Sequence, residues 1–98
     1  MLRRNKKLRQ VSDRRALELA KYRRRRPIFL GLNSICVACR IMAATQIHHA
    51  AGREGWRLLY EPWWRALCHL CHDYFTRHKQ EAIERGISLP RATRRPEE

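Results

Sequence analysis

The chain has 98 residues, and its 22 Lys and Arg against 9 Asp and Glu give a formal net charge of +13. A single domain of this size lies close to the lower limit at which a hydrophobic core alone stabilises a fold, so an additional cross-link or metal is expected. So large an excess of positive charge disfavours the alternative of a basic surface that has no charged partner. It indicates a polyanionic partner, of which nucleic acid is the commonest inside a cell.

The start of the chain gives an expectation about location. The basic segment MLRRNKKLRQ is followed by more charge and not by the apolar run of a signal peptide. No stretch approaches the roughly 18 apolar residues of a membrane span, so we expect a cytoplasmic protein with reduced thiols and no membrane contact. Residues 1–11 are expected to form a disordered basic tail and residues 91–98 a flexible tail, on either side of a domain over residues 12–90.

The first predicted element is a basic helix. Ser12 is a suitable N-cap, Asp13 suits the first turn, and residues 13–25 carry apolar side chains at helical spacing. Pro27 predicts that the helix ends or kinks there, because the residue before a proline is biased away from helix. A solvated face is one interpretation of the arginine run at this end; contact with DNA phosphates is favoured for Arg23, Arg24, Arg25 and Arg26.

The remainder of the domain is predicted to mix strands and helix. Residues 40–48 and 56–60 are predicted as short strands, with a turn beginning at Pro62. From about His69 the apolar residues recur at helical spacing, and Gly86 is a suitable helix stop. The expected fold class is therefore α+β with an N-terminal basic helix.

All four cysteines occur in two C-x-x-C pairs, Cys36/Cys39 and Cys68/Cys71, which are separated by residues 40–67. Two residues between ligands allow a tight turn to direct both sulfurs at one ion, and two such turns complete a tetrahedral structural Zn²⁺ site. The stretch CHLCH also matches the C-x-x-C-H signature of covalent haem attachment, and disulfides or free thiols are further alternatives. A cytoplasmic location disfavours haem attachment and disulfides, so zinc is predicted.

Three histidines lie close to this framework. His48 and His49 are adjacent in ATQIHHAAG, and His72 directly follows the last cysteine. Adjacent residues of a strand point to opposite faces, so one of the pair is predicted to bind a metal with His72 while the other faces a substrate as a base. The alternative is that all three are surface groups or lie around the zinc without a catalytic role.

These segments, in their order and spacing, resemble the HNH endonucleases, specifically the small phage-type members with zinc knuckles. The resemblance covers about residues 10–91 and is carried by VSDRRALELAKYRRRRPIFL, CVAC, ATQIHHAAGR, ALCHLCHDYF and AIERGISLPR. It implies a ββα-metal (His-Me finger) core, in which a β-hairpin and a helix hold one catalytic divalent ion (Mg²⁺, Mn²⁺, Ni²⁺ or Zn²⁺). It also implies hydrolysis of DNA phosphodiester bonds, by nicking or double-strand cleavage, in a phage-infected host cytoplasm beside packaging (terminase) proteins.

Residue by residue, the resemblance implies that His48 and His72 bind the catalytic ion, that His49 is the general base, and that Arg53 clamps the phosphate. The chain departs from the family pattern at Trp63, where an asparagine usually restrains the loop that positions the base. This departure favours an alternative, a zinc-stabilised DNA-binding module with lost or weak catalysis. A basic zinc protein that binds ribosomal RNA is a third possibility, which the spacing of the histidines and cysteines disfavours.

Overall fold

The fold is given by a computed structural model that describes residues 12–90 and 93–95. The tails expected at residues 1–11 and 91–98 lie outside the described residues, apart from 93–95. The elements are helix α1 (Asp13–Leu32), strand β1 (Gln46–His49), the 3-10 helices η1 (Gly55–Leu59) and η2 (Glu61–Trp63), strand β2 (Trp64–Leu67), helix α2 (His69–Arg77) and helix α3 (Lys79–Glu84). The chain is thus a small α+β protein, as predicted.

Helix α1 starts where the sequence predicts. The Ser12 hydroxyl accepts a hydrogen bond from the Arg15 amide at 3.1 Å, which satisfies one of the unpaired N–H groups of the first turn. Across residues 12–90 and 93–95, no helix has the length and apolar character needed to cross a membrane.

Of the two outcomes predicted at Pro27, an end of the helix is wrong, because α1 continues through this proline to Leu32. An interior proline costs about 3 kcal/mol, so contacts beyond it must offset that cost. The ring of Phe29 packs edge-on against Trp64, with centroids 5.2 Å apart. The backbone amide of Asn33 then caps the helix by donating to the Phe29 carbonyl at 2.9 Å. Long-range packing therefore overrides the local bias of the proline.

Strands β1 and β2 form a two-stranded antiparallel sheet. The register places His48 opposite Arg65 and His49 opposite Trp64. The strand predicted over residues 40–48 is wrong over its first part, since β1 begins only at Gln46. The preceding residues belong to the first cysteine turn, where Arg40 has a left-handed φ of 58° that a strand cannot contain.

The strand predicted over residues 56–60 is also wrong, because this segment forms the 3-10 helix η1. Three aromatic rings explain the difference. Trp56, Tyr60 and Trp63 contact one another with ring centroids 5.2 to 5.4 Å apart, which requires the chain to coil rather than extend. Tryptophan and tyrosine favour strands only where a sheet neighbour supplies the packing, and here they pack on each other.

Helix α2 begins at His69, as predicted, and α3 follows it closely. Gly86 adopts φ 78° directly after the C-cap Arg85, so its predicted role as a helix stop is confirmed. The main buried cluster joins the sheet, the cysteines and these helices; it consists of Cys36, Leu67, Cys68, Phe75, Ala82 and Ile87. Two of the predicted metal ligands are therefore part of the hydrophobic core.

Candidate functional site

The four cysteines meet at one point of the fold. Their sulfur atoms all lie within 4.8 Å of one another, with the side chains of Cys36 and Cys68 buried and those of Cys39 and Cys71 half-buried. Four thiolates around a tetrahedral ion, with Zn–S near 2.3 Å, have sulfurs about 3.8 Å apart, so this donor set fits zinc. The predicted four-cysteine cluster is confirmed, and its arrangement is compatible with a zinc site.

Backbone amides shape each cysteine turn. The Arg40 amide donates to the Cys36 carbonyl at 2.9 Å, which closes the first turn. The Met42 amide approaches the Cys39 sulfur at 3.5 Å, and the Cys71 amide approaches the Cys68 sulfur at 3.4 Å. N–H groups directed at sulfur favour the thiolate form, which is the form that binds a metal.

The pKa values of the cysteines differ because the four groups share one site. Burial alone would raise the pKa of Cys36, but hydrogen bonds from the backbone of Cys39, Cys68 and Ala38 outweigh it and lower that pKa to about 6. Burial and the neighbouring cysteines raise the pKa of Cys71 to about 12. Several thiolates this close repel one another unless a cation compensates their charge, and a divalent ion would do so.

The three predicted histidines also meet, in a cleft lined by residues of α1, β1 and α2. His48, His49 and His72 line a cavity of about 440 Å³ together with Arg53 and with Tyr22 and Arg26 of α1. We call this cavity the histidine cleft. It is not the largest cavity of the protein, since one of about 910 Å³ lies beside it. The sequence therefore predicted the histidines of one site from positions far apart in the chain.

His48 faces His72 and the residues after α3. The rings of His48 and His72 have centroids 5.6 Å apart, and His48 Nε2 lies 2.7 Å from the Ser88 hydroxyl oxygen. Two imidazoles that share one ion, with N–metal distances near 2.1 Å, have centroids about 5 Å apart, so this pair nearly fits. Burial lowers the pKa of His48 to about 4, with repulsion from His72 and Arg65 adding to it, so the ring is neutral as a metal ligand must be.

His49 is the most deeply placed of the three, with 8% of its surface exposed. Its ring forms a hydrogen bond with the backbone of Leu58, whose carbonyl oxygen also accepts the Trp64 indole N–H at 3.0 Å. Its Nε2 atom is buried without a hydrogen-bond partner among residues 12–90 and 93–95. Burial, followed by the charge of Arg53, lowers the pKa of His49 to about 4. Nε2 is therefore an unprotonated, oriented acceptor.

Arg53 lies at the rim of the histidine cleft. Its guanidinium carbon is 5.2 Å from the centre of the Tyr22 ring, which in turn contacts the His49 ring at a centroid distance of 5.3 Å. The carbonyl of Arg53 accepts a hydrogen bond from Arg15 at 3.0 Å. Helix α1 thus forms one wall of the cleft and anchors the loop that carries Arg53.

The four arginines predicted to bind DNA have different surroundings. Arg26 lines the histidine cleft and donates to the Thr45 carbonyl at 3.0 Å. Arg25 forms two hydrogen bonds with the Glu61 carboxylate, at 2.6 and 3.0 Å, which lower the pKa of that carboxyl group. Arg23 and Arg24 are exposed. Three of the four guanidiniums are therefore presented to solvent or to the cleft, and Arg25 fastens α1 to η2.

Trp63 stands where the resemblance described above would place an asparagine. It is buried, and its ring packs against Trp56 and Tyr60. Its carbonyl accepts the amide of Ala50 at 2.9 Å, directly after the two histidines. The side chain that reaches the His49 region is instead its neighbour, Trp64, whose ring centroid lies 5.7 Å from that of His49.

Sequence reasoning did not assign Tyr22, Leu58 or Ser88 to the site. Tyr22 and Ser88 lie far from the histidines in sequence, and Leu58 acts through its backbone. No local signal could have identified them.

No family model, no curated protein and no solved structure matches this chain significantly.

Proposed function

We propose that the chain is a metal-dependent HNH endonuclease with a ββα-metal core, which hydrolyses phosphodiester bonds of DNA. The observation that carries this proposal is the histidine cleft, where His48, His49 and His72 line one cavity with Arg53. Strand β1 carries His48 and His49 and helix α2 carries His72, and together with β2 these are the elements that such a core requires.

In this proposal His49 is the general base. Its buried Nε2 is unprotonated and has no partner among the described residues, and its ring is oriented by the backbone of Leu58. A general base must be neutral and directed at the proton that it removes, which here belongs to the attacking water. The hydrogen bond from Trp64 to the Leu58 carbonyl restrains the group on which this orientation depends.

His48 and His72 are the proposed ligands of the catalytic ion. A divalent ion held there would stabilise negative charge on the phosphate and on the leaving oxygen. Because His48 Nε2 contacts the Ser88 hydroxyl, an ion would bind through Nδ1 or displace that hydroxyl. Both imidazoles leave the remaining coordination positions to water and substrate, as catalytic metal sites do.

Arg53 and Arg26 are the proposed contacts of the scissile phosphate, since both guanidiniums line the histidine cleft. Arg23 and Arg24 are proposed to bind flanking phosphates from the exposed surface of α1. DNA is the expected partner because the net charge of +13 attracts a polyanion without regard to its sequence. Phage packaging (terminase) proteins and a host cytoplasmic location are extensions of the same proposal.

The direct test is incubation of the zinc-loaded protein with supercoiled plasmid and Mg²⁺, Mn²⁺ or Ni²⁺, followed by gel electrophoresis. We expect conversion to nicked or linear DNA that depends on the added ion. His78→Ala, an exposed histidine that stacks on Tyr74, is the matched control and should cleave like the wild type. Absence of cleavage with every ion, in a protein that is folded and binds DNA, would contradict the proposal.

That last outcome would support the second candidate, a zinc-stabilised DNA-binding module with lost or weak catalysis. The observation that favours this candidate is the buried Trp63 at the asparagine position of the family pattern. Its distinguishing property is DNA binding without cleavage in the presence of any of the divalent ions.

A further inference from the structure

The cavity of about 910 Å³ beside the histidine cleft has no role in the proposed hydrolysis. We call it the aromatic–arginine cavity, and six of the side chains that line it are Arg14, Arg15, Glu54, Trp56, Tyr60 and Arg95. Its volume lies within the range of about 300–1,000 Å³ that is usual for small-ligand pockets. Its lining is aromatic and cationic, which limits the chemistry of what it can hold.

The aromatic part of this cavity is rigid. Trp56 and Tyr60 meet edge to face with centroids 5.4 Å apart, and both rest on the buried ring of Trp63 at 5.3 and 5.2 Å. Trp63 thus fixes the other two rings from below. Rings that are already fixed lose little conformational freedom when a ligand stacks on them.

A planar cation already lies on this surface. The guanidinium carbon of Arg95 is 4.9 Å from the centre of the Trp56 ring, in the geometry of a cation–π contact. Arg95 is exposed, so it can leave the ring at low cost. A flat aromatic ligand would occupy the same position over the indole, and the released guanidinium would be close to any anion attached to that ligand.

The charge of the cavity favours an anionic ligand. Three arginines and two glutamates line it, and one of the glutamates, Glu18, is paired with Arg14 at 3.5 Å and with Arg15 at 3.3 Å. The excess of arginine over glutamate disfavours a cationic ligand such as a methylated amine, which would otherwise suit an aromatic pocket. A nucleotide combines a flat aromatic ring with a phosphate and satisfies both features.

The cavity is also adjacent to the histidine cleft. Arg53 lines the cleft and the next residue, Glu54, lines the cavity. Arg15 of the cavity donates to the Arg53 carbonyl at 3.0 Å, so the two sites share a wall. A strand whose phosphate lies in the cleft would therefore pass the cavity with its neighbouring nucleotides.

We infer that the aromatic–arginine cavity binds an unpaired nucleobase of the DNA strand that crosses the histidine cleft. The base stacks on Trp56 in place of Arg95, and Arg95 and Arg14 contact the adjoining phosphates. This inference rests on the proposed nuclease function and adds a substrate class to it. The preferred substrate is DNA with unpaired nucleotides beside the cleaved bond, such as a gap or a flap, rather than continuous duplex.

The test compares two DNA probes that differ only in the unpaired base. One is a duplex in which a short gap in one strand leaves thymidines of the other strand unpaired. The other is the same duplex with abasic residues in place of those thymidines. Their affinities for the zinc-loaded full chain are measured by fluorescence anisotropy without added Mg²⁺, and gels verify that the DNA stays intact. Since stacking one base on an aromatic ring contributes about 1–3 kcal/mol, the wild type should prefer the thymidine probe roughly 5- to 150-fold.

Three variants locate the effect. Trp56→Ala should remove the preference, Trp56→Phe should retain most of it, and Arg95→Gln should weaken both probes to a similar extent. Zinc content and thermal unfolding show whether each variant is folded. If Trp56→Ala does not fold, the wild-type ratio and the Trp56→Phe variant still decide the question.

Equal affinity of the wild type for the two probes would overturn the inference. If the protein still binds and cleaves duplex DNA in that case, the proposed nuclease function stands. Failure to bind any DNA would instead contradict the proposed function. A glutamate-rich peptide that competes with the thymidine probe as well as single-stranded DNA of the same charge would assign the cavity to an acidic protein segment and overturn the inference too.

Discussion

The cysteine cluster and the histidine cleft contrast in how complete each is within this chain. Four sulfurs lie within 4.8 Å of one another, and two of these cysteines belong to the buried core. In the cleft, by contrast, no third His, Cys or carboxylate of the described residues joins His48 and His72 in a metal-binding group. Structural zinc sites are closed by the protein, whereas catalytic sites keep positions open. In the proposed function, the first site stabilises the fold and the second remains available to a substrate.

Removing one cysteine should have the largest effect. Cys36→Ser or Cys71→Ser is expected to unfold the domain or release its metal, because structural zinc in small domains contributes about 10–16 kcal/mol. Circular dichroism and metal analysis of the purified protein provide the measurement. His69→Ala, an exposed position within the second cysteine pair, should retain zinc and fold. If the purified wild-type protein contains no zinc, or carries covalent haem, the interpretation of the cysteine cluster as a structural zinc site is wrong.

Removing the proposed base should affect chemistry and leave the fold intact. His49→Ala is expected to lower plasmid cleavage about 10²–10⁴-fold, the usual contribution of a general base, with zinc content and DNA affinity unchanged. His48→Ala and His72→Ala should instead raise the concentration of divalent ion needed for half-maximal cleavage. Cleavage by His49→Ala at the wild-type rate would exclude His49 as the base.

A smaller effect is expected from the restraint on His49. Trp64→Phe removes the indole N–H that donates to the Leu58 carbonyl at 3.0 Å and keeps an aromatic ring. Because misplacement of a catalytic group by about 1 Å can cost roughly 10²-fold, the cleavage rate should fall by up to that factor. Loss of one hydrogen bond should cost only about 1 kcal/mol of stability.

The matched control for Trp64→Phe is Trp63→Phe, which changes the adjacent indole in the aromatic group away from His49. It should alter stability by a similar amount and cleavage much less. Equal losses of cleavage in the two variants would indicate general loosening rather than a specific restraint. Trp63→Asn introduces the asparagine of the HNH pattern but opens a buried aromatic contact, so its cleavage rate must be compared at matched stability.

The smallest effect concerns pH. Burial lowers the pKa of His49 to about 4. At pH values between this pKa and the ordinary pKa of histidine, the unfolded chain therefore binds a proton that the folded chain does not. Acid therefore favours the unfolded state, and stability should fall by about 2 kcal/mol per buried imidazole between roughly pH 7 and pH 5. Urea unfolding at several pH values measures it.

The control for this pH effect is His49→Gln, because acid also releases zinc from cysteine sites in every variant. The stability of His49→Gln should decrease less than that of the wild type over the same interval. Parallel curves for the two proteins would show that His49 does not remain neutral in the folded state.

Features set by short-range chemistry were predictable from the sequence. Two C-x-x-C pairs require the sulfurs to meet if one ion is to bind them all, and the cysteine cluster follows. The N-cap Ser12, the start of α2 and the stop at Gly86 depend on local backbone preferences and were likewise expected. That the three histidines lie together was expected from the order and spacing of several segments, and not from any single segment.

Features set by long-range packing were not predictable. The continuation of α1 past Pro27 depends on Phe29 meeting Trp64, which lies in the other half of the chain. The coiled path of η1 depends on Trp56 and Tyr60 packing on Trp63, although the same residues suit a strand. The contribution of Tyr22 to the cleft likewise arises only when α1 docks on the sheet.

The contact between His48 and Ser88 makes the two sites depend on different lengths of chain. These residues are 40 positions apart, and the Leu89 amide also bonds the Ala50 carbonyl at 2.8 Å. The four cysteines all lie before residue 72, whereas the support of the histidine cleft comes from residues 88 and 89. A chain truncated before Ser88 is therefore expected to keep every proposed zinc ligand and to lose the support of His48. For the proposed nuclease, such a truncation would impair the catalytic site while leaving the zinc ligands in place.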